Sequence, residues 1–145
     1  MTRRRGKVPE TETVAAIAAK YLEEQPDVLA AYLFGSLARG RGRAGSDVDI
    51  AVLFAPSLSE KTARFERRLE MELALEERLG LPAQVVDLEA ASPELQHQVR
   101  LHGRLLVDKD RNRRVAFEVR ARRNYLDMEY YRRRRMEIAF KRAGI

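Results

Sequence analysis

Asp47 and Asp49, two carboxylates separated by one residue, are where the types and spacing in this 145-residue chain best fit chemistry. On an extended backbone alternate side chains share a face, so both carboxylates point the same way, about 6.6 Å apart at the backbone. Carboxylates held that close repel and raise each other's pKa unless a cation is shared between them. Hard divalent cations with oxygen ligands, Mg²⁺ above all, suit the arrangement. Gly35-Ser36 stands ten residues upstream of the pair. A glycine there lets the backbone approach a ligand closely, and the serine hydroxyl with free N–H groups binds phosphate oxygens. Arg39, Arg41 and Arg43 lie between, three cations where a triphosphate would sit. A carboxylate pair beside a phosphate-binding turn serves metal-assisted phosphoryl or nucleotidyl transfer. Taken singly, Asp-x-Asp is common on surface strands and Gly-Ser is an ordinary turn. The joint pattern of strand, Gly-Ser, ten residues, Asp-x-Asp and apolar strand is much sharper.

The flanking sequence predicts the elements that position these residues. Val14, Ile17, Ala18, Tyr21 and Leu22 follow helical spacing over residues 11–24, with Pro26 as the stop. Residues 28–34 are apolar throughout, as in a strand buried on both faces, and 47–54 form a second strand. The stretch 35–46 has no period and reads as a loop. Ser57-x-x-Glu60 has the form of a capping box opening a helix whose apolar face is Phe65, Leu69, Leu73 and Leu79. Gly80-Leu81-Pro82 ends that helix, residues 83–88 make a third strand, and Ser92-Pro93 opens a helix closed near Gly103. Residues 105–107 make a short edge strand, and helix resumes over about 113–141. The expected fold is α/β (α+β), a small mixed β-sheet with flanking helices and a C-terminal helix.

Composition narrows the class. With 45% apolar and 34% charged residues, the chain can bury a core beneath a charged surface, which excludes wholesale disorder. The absence of cysteine excludes disulfides, thiolate metal sites and cysteine nucleophiles. Its longest apolar run, residues 28–34, is far short of the roughly 18 to 20 residues that span a bilayer. The apolar stretch after the arginine-rich start is closed by Lys20, so it makes no signal peptide. The expectation is a cytoplasmic domain without membrane contact, divided into a flexible N-terminus (1–10), a core (11–110) and a basic C-terminal helix (111–145). That last segment holds 12 Arg and Lys against 4 Asp and Glu, a net +8, whereas the whole chain carries +6. Such a segment attracts an acidic partner or nucleic acid, and its interleaved tyrosines suit a protein interface. His97 and His102 are five apart, off a common helical face, and read as surface residues.

Gly35-Ser36-x10-Asp47-x-Asp49, with Ser46 before the first aspartate, resembles the signature of the DNA polymerase beta-type nucleotidyltransferase superfamily. The short chain is similar to its minimal branch, the MNT-domain antitoxins paired with HEPN ribonuclease toxins, over roughly residues 12 to 108. The resemblance implies transfer of AMP from ATP to a tyrosine of a HEPN-type toxin. Asp47 and Asp49 would hold two Mg²⁺ ions, and a third carboxylate on a following strand would complete the metal site, acting on the acceptor oxygen. Asp87, the acidic residue within the apolar run 84–88, matches that position. Gly35, Ser36, Arg39 and Ser46 would bind the nucleotide. Many members carry arginine directly after Gly-Ser where this chain has Leu37, which leaves Arg39, Arg41 and Arg43 as alternatives at the triphosphate. Two other readings stand beside this one: an antitoxin acting by contact alone, and a nucleotidyltransferase for a small-molecule or nucleic-acid acceptor. The second is disfavoured because only about 35 residues follow the core, where an acceptor-binding domain would be expected.

Overall fold

The computed structural model describes residues 10–42 and 47–144. The elements run α1 (Thr11–Glu23), β1 (Val28–Phe34), α2 (Gly35–Ala38), β2 (Val48–Phe54), α3 (Lys61–Leu79), β3 (Ala83–Asp87), α4 (Pro93–His102), β4 (Arg104–Asp108) and α5 (Arg111–Arg142). The four strands form one mixed sheet in the order β3-β2-β1-β4. β1 is antiparallel to both β2 and β4, and β2 is parallel to β3. The all-apolar β1 therefore takes an inner position with helices on both faces, as its sequence demands. Of the expected N-terminal segment 1–10, only Glu10 is among the described residues.

Helices α1 and α3 cover one face, where Ala18, Leu22, Leu33, Ile50, Val52, Met71, Leu75 and Val85 form the larger core. On the other face α4 and the first part of α5 pack over Tyr32, Ala51, Leu53 and Leu88 through Val99, Phe117 and Ala121. Tyr32 donates to Glu118 at 3.1 Å, and Arg114 pairs with Asp108 at 3.0 Å and also with Glu118, tying α5 to the sheet. The His97 ring stacks on Tyr125 at 3.6 Å between centroids, so His97 is a packing residue between α4 and α5 rather than a bare surface group. Beyond that stack, every described residue from Tyr130 to Gly144 is exposed, including Met136, Ile138 and Phe140.

Three expectations are corrected. Residues 35–38 are not loop but one short helical turn. The box at Ser57 does not cap a helix, because Leu58 is drawn against the core and its N–H closes a turn on the Ala55 carbonyl at 3.0 Å. α3 starts later, at Lys61, with Glu60 at its N-cap and no side-chain cap. Its apolar face was also misassigned: Phe65, Leu69 and Leu73 are exposed, and the inward side chains are Arg64, Arg67, Met71 and Leu75. The arginines turn inward because carboxylates await them. Arg67 grips Asp27 with two bonds of 2.6 and 2.9 Å, and Arg64 lies 3.4 Å from Asp87 while stacking over the Phe54 ring. Gly80, with φ +68°, ends α3 in the left-handed conformation that its missing Cβ permits. Glu72 and Glu76 then accept the Val85 and Ala83 N–H groups, occupying donors of the β3 edge strand.

Candidate active site

Antiparallel pairing brings the end of β1 beside the beginning of β2, and this alone assembles the centre of the site. Phe34 pairs with Asp49, so Gly35 leaves the strand directly over the Asp49 side chain. Gly35 has φ +79°, and a Cβ built on it would lie 2.3 Å from Asp49 Oδ2. Both facts exclude any larger residue in this backbone. Asp47 stands just ahead of β2, exposed, and Asp49 is half-buried. Burial, and after it the charge of Asp47, raises the Asp49 pKa above the ordinary carboxylate range. A carboxylate pair with that repulsion is what a divalent cation stabilises.

The turn after Gly35 is held by its own backbone: the Arg39 N–H donates to the Gly35 carbonyl at 3.3 Å and the Arg41 N–H to the Ser36 carbonyl at 2.8 Å. Leu37 anchors it by side-chain burial in the larger core, and its carbonyl accepts the Thr11 hydroxyl at 3.0 Å. The departure at Leu37 thus has a physical reason, since position 37 points inward and leaves cationic work to its neighbours. Arg39 and Arg41 both line a cavity of about 540 Å³ with Phe34, Gly35, Ser36, Gln98 and His102. Arg39 donates to Gln98 Oε1 at 3.1 Å, linking the turn to α4. No motif spacing links Gln98 to the turn, and His102, read from the sequence as a surface residue, lines the cavity too; both arrive from a helix more than fifty residues away. Ser46 and Arg43 lie outside the described residues.

Asp87 does not join the pair. It pairs in register with Val52, whereas the residue opposite Asp49 is Gln84. Partners in a parallel ladder share a face, so Asp87 lies about 10 Å further along and on the other side of the sheet. There it is 6% exposed, ion-paired with Arg64, and accepts the Glu89 N–H at 3.2 Å. The exposed Gln84 takes the place beside Asp49. A larger cavity, about 700 Å³, opens at this opposite end of the sheet among Phe54, Arg64, Asp87, Arg113 and Arg120, away from Gly35 and the Asp47/Asp49 pair. Size does not make it the reaction site, because its two acids, Asp87 and Glu89, are both paired with Arg64 and the Gly35 turn lies at the other end of the sheet. Among the described residues no three His, Asp or Glu side chains gather as a metal cage. The donors present, two carboxylates beside a phosphate-binding turn, fit a hard cation shared between the pair and phosphate oxygens.

The chain is similar to known proteins in sequence and fold. The protein adenylyltransferase MntA of Shewanella oneidensis is 40% identical over 81 residues, 56% of this chain and 55% of that protein. The chain thus matches only about half the length of that relative. A toxin–antitoxin crystal structure with AMP-PNP superposes with a TM-score of 0.67 at 27% identity, covering 89% of this chain and 98% of the other. A tri-AMPylated Shewanella oneidensis HEPN toxin in complex with MNT antitoxin gives a TM-score of 0.66 at 26% identity, over 90% and 98%. Residues 17–112, well over half of the sequence, match the family described as polymerase beta, nucleotidyltransferase. Its strand-end glycine, its Asp-x-Asp and that match agree: the chain belongs to the polymerase beta nucleotidyltransferase family.

Proposed function

We propose that this chain is an antitoxin that transfers AMP from ATP to a tyrosine of a HEPN-type toxin. The observation that carries the reading is the seating of the Asp49 carboxylate against the Gly35 backbone, beside a cavity holding Ser36, Arg39 and Arg41. Similarity to a protein adenylyltransferase and to a complex with an AMPylated toxin supports a toxin protein as the acceptor, and tyrosine is the acceptor residue that the family resemblance implies. In the transfer, the tyrosine oxygen bonds to the α-phosphorus, and the bond from that phosphorus to the oxygen bridging the β-phosphate breaks. The hydroxyl proton is released and pyrophosphate departs with its charge.

Each residue has a task that follows from its position. Gly35 admits the triphosphate close to the backbone, and Ser36 offers it a hydroxyl. Arg39 and Arg41 neutralise phosphate charge, Arg39 being positioned by Gln98. Asp47 and Asp49 would hold Mg²⁺, which would supply charge to screen the phosphate oxygens. The outer half of α5, with Arg132 to Arg135 and its exposed tyrosines, meets the toxin, and the same arginines suit RNA held by a ribonuclease. ATP as donor and a toxin as acceptor suit a chain that works in the cytoplasm. Among the described residues no helix is long and apolar enough to cross a membrane.

Mass spectrometry of the HEPN toxin co-expressed with this chain tests the reading. The toxin gains adenylyl groups with the native chain and none with Asp49→Asn; a toxin of unchanged mass with the native chain rejects it. Neutralisation by contact alone is the second reading, favoured by the neutral Gln84 beside the pair. It requires the Asp49→Asn chain to protect cells as well as the native one does.

A further inference from the structure

A two-ion site needs an acid on the strand next to the Asp47/Asp49 pair, and strand register dictates where that acid must stand. Asp49 pairs with Gln84 across the parallel β2–β3 ladder, so the two share a face with backbones about 4.8 Å apart. The burial of β3 alternates accordingly: Ala83, Val85 and Asp87 are buried toward α3, while Gln84 is exposed on the face of Asp49. Residue 84 is therefore the β3 position beside the pair, and it carries a neutral amide. An amide oxygen offers a hard dication no charge, and an amide does not take up a proton near neutral pH. The nearby acids are committed elsewhere. Asp87 is buried on the opposite face against Arg64, and Glu89 lies 3.4 Å from that same guanidinium.

Resting on the nucleotidyltransferase reading above, we infer that this site holds one divalent cation, shared by Asp47, Asp49 and the nucleotide, and that Gln84 stands where a second ion would be held. The chain thus departs from the two-ion arrangement by one residue. Position 84 is exposed on an edge strand, so an acid there does not have to be buried. Placed beside the pair, it would supply the missing charge from the correct face.

The test counts ions directly. The full chain is saturated with AMP-PNP, Mn²⁺ is titrated in, and free Mn²⁺ is read by electron paramagnetic resonance. One Mn²⁺ bound per native chain, two per Gln84→Asp chain, and one per Asp87→Asn chain is the expected result. Two ions on the native chain, or none, overturn the inference. So does a count that falls with Asp87→Asn, which would return Asp87 to the site. Gln84→Glu is the second variant, and if both acidic variants fold and stay at one ion, position 84 is not the missing ligand. AMP transfer to the toxin is measured on the same samples, and Gln84→Asp is expected to raise its single-turnover rate about tenfold. One ion bound with no AMP added to the toxin by any variant rejects the transferase reading while the ion count stands.

Discussion

The Asp49 carboxylate occupies the space that a side chain on residue 35 would fill, with Oδ2 2.3 Å from the position of a Cβ there. Gly35→Ala must therefore displace that carboxylate and also hold alanine in a left-handed conformation, at about 1 kcal/mol or more. The variant is expected to stay folded, to melt a few degrees lower, and to lose at least about tenfold in affinity for AMP-PNP, a loss of about 1.4 kcal/mol. Calorimetric titration measures this. Native affinity in the alanine variant would show that close backbone approach is irrelevant to binding.

The orientation of α3 sets up a comparison within one helix. Leu75 is 0% exposed and Leu73 is 70% exposed. Truncating a fully buried leucine costs about 2 to 5 kcal/mol, whereas an exposed one changes stability by only about 0.5 kcal/mol. Urea denaturation of Leu75→Ala and Leu73→Ala should reproduce that contrast. Equal effects would return the apolar stripe Phe65-Leu69-Leu73 to the core.

Docking of α5 should depend on pH through His97. Burial, and after it the neighbouring Arg100, lower the His97 pKa; Arg100 donates to Nδ1 at 3.0 Å, so the ring accepts there. His102 acts in the same direction and Glu129 opposes it. The folded state thus prefers the neutral ring stacked on Tyr125. The contribution is complete above the ordinary histidine value of about 6.5 and is lost as pH falls through the lower folded value. Hydrogen exchange in α4 and in α5 around Tyr125 should quicken across that window. In His97→Gln the acceleration should disappear, and its persistence there would assign the pH response to another group.

Removing residues 130–145 takes away a segment whose described residues are all exposed, together with the surface pair Arg132–Glu94, and leaves the His97–Tyr125 stack, the sheet and the Gly35 turn intact. AMP-PNP affinity should stay within about twofold, while modification of the toxin falls by at least about tenfold, because a stable protein complex needs roughly 1,200 to 2,000 Å² of buried area. Parallel loss of both activities would mean that this segment supports the fold rather than the partner.

Most of the scaffold is legible because its signals are local. Val28–Phe34 reads as an inner strand from seven consecutive apolar residues, and Ser92-Pro93 as a helix start, with the Ser92 hydroxyl accepting the Leu95 N–H at 3.2 Å. Gly35, Asp47 and Asp49 are legible for the same reason, since one hairpin-like pairing joins them. What was missed depends on partners distant in sequence. Arg64 and Arg67 face inward only because Asp87 and Asp27 are there to meet them, and no period along α3 announces that. Asp87 was chosen by residue type, although the face it takes is set by register: residues 84 and 87 are three apart on a strand and so face opposite ways.

α5 has 32 residues and so spans about 48 Å, against a radius of gyration near 15 Å expected for a compact chain of this length. Its outer half is held to the rest of the fold by the exposed Arg132–Glu94 pair at 3.2 Å, with every described side chain from Tyr130 to Gly144 exposed, and a helical segment of that size is marginal in water by its own propensity. Arg132 to Arg135 form four consecutive trypsin sites in that half. The free chain should therefore be nicked there first, before the sheet yields, while a bound toxin that covers the segment shields the same bonds. Under the proposed function, survival of the intact chain in a protease-rich cell then becomes a readout of how much toxin is present to hold it.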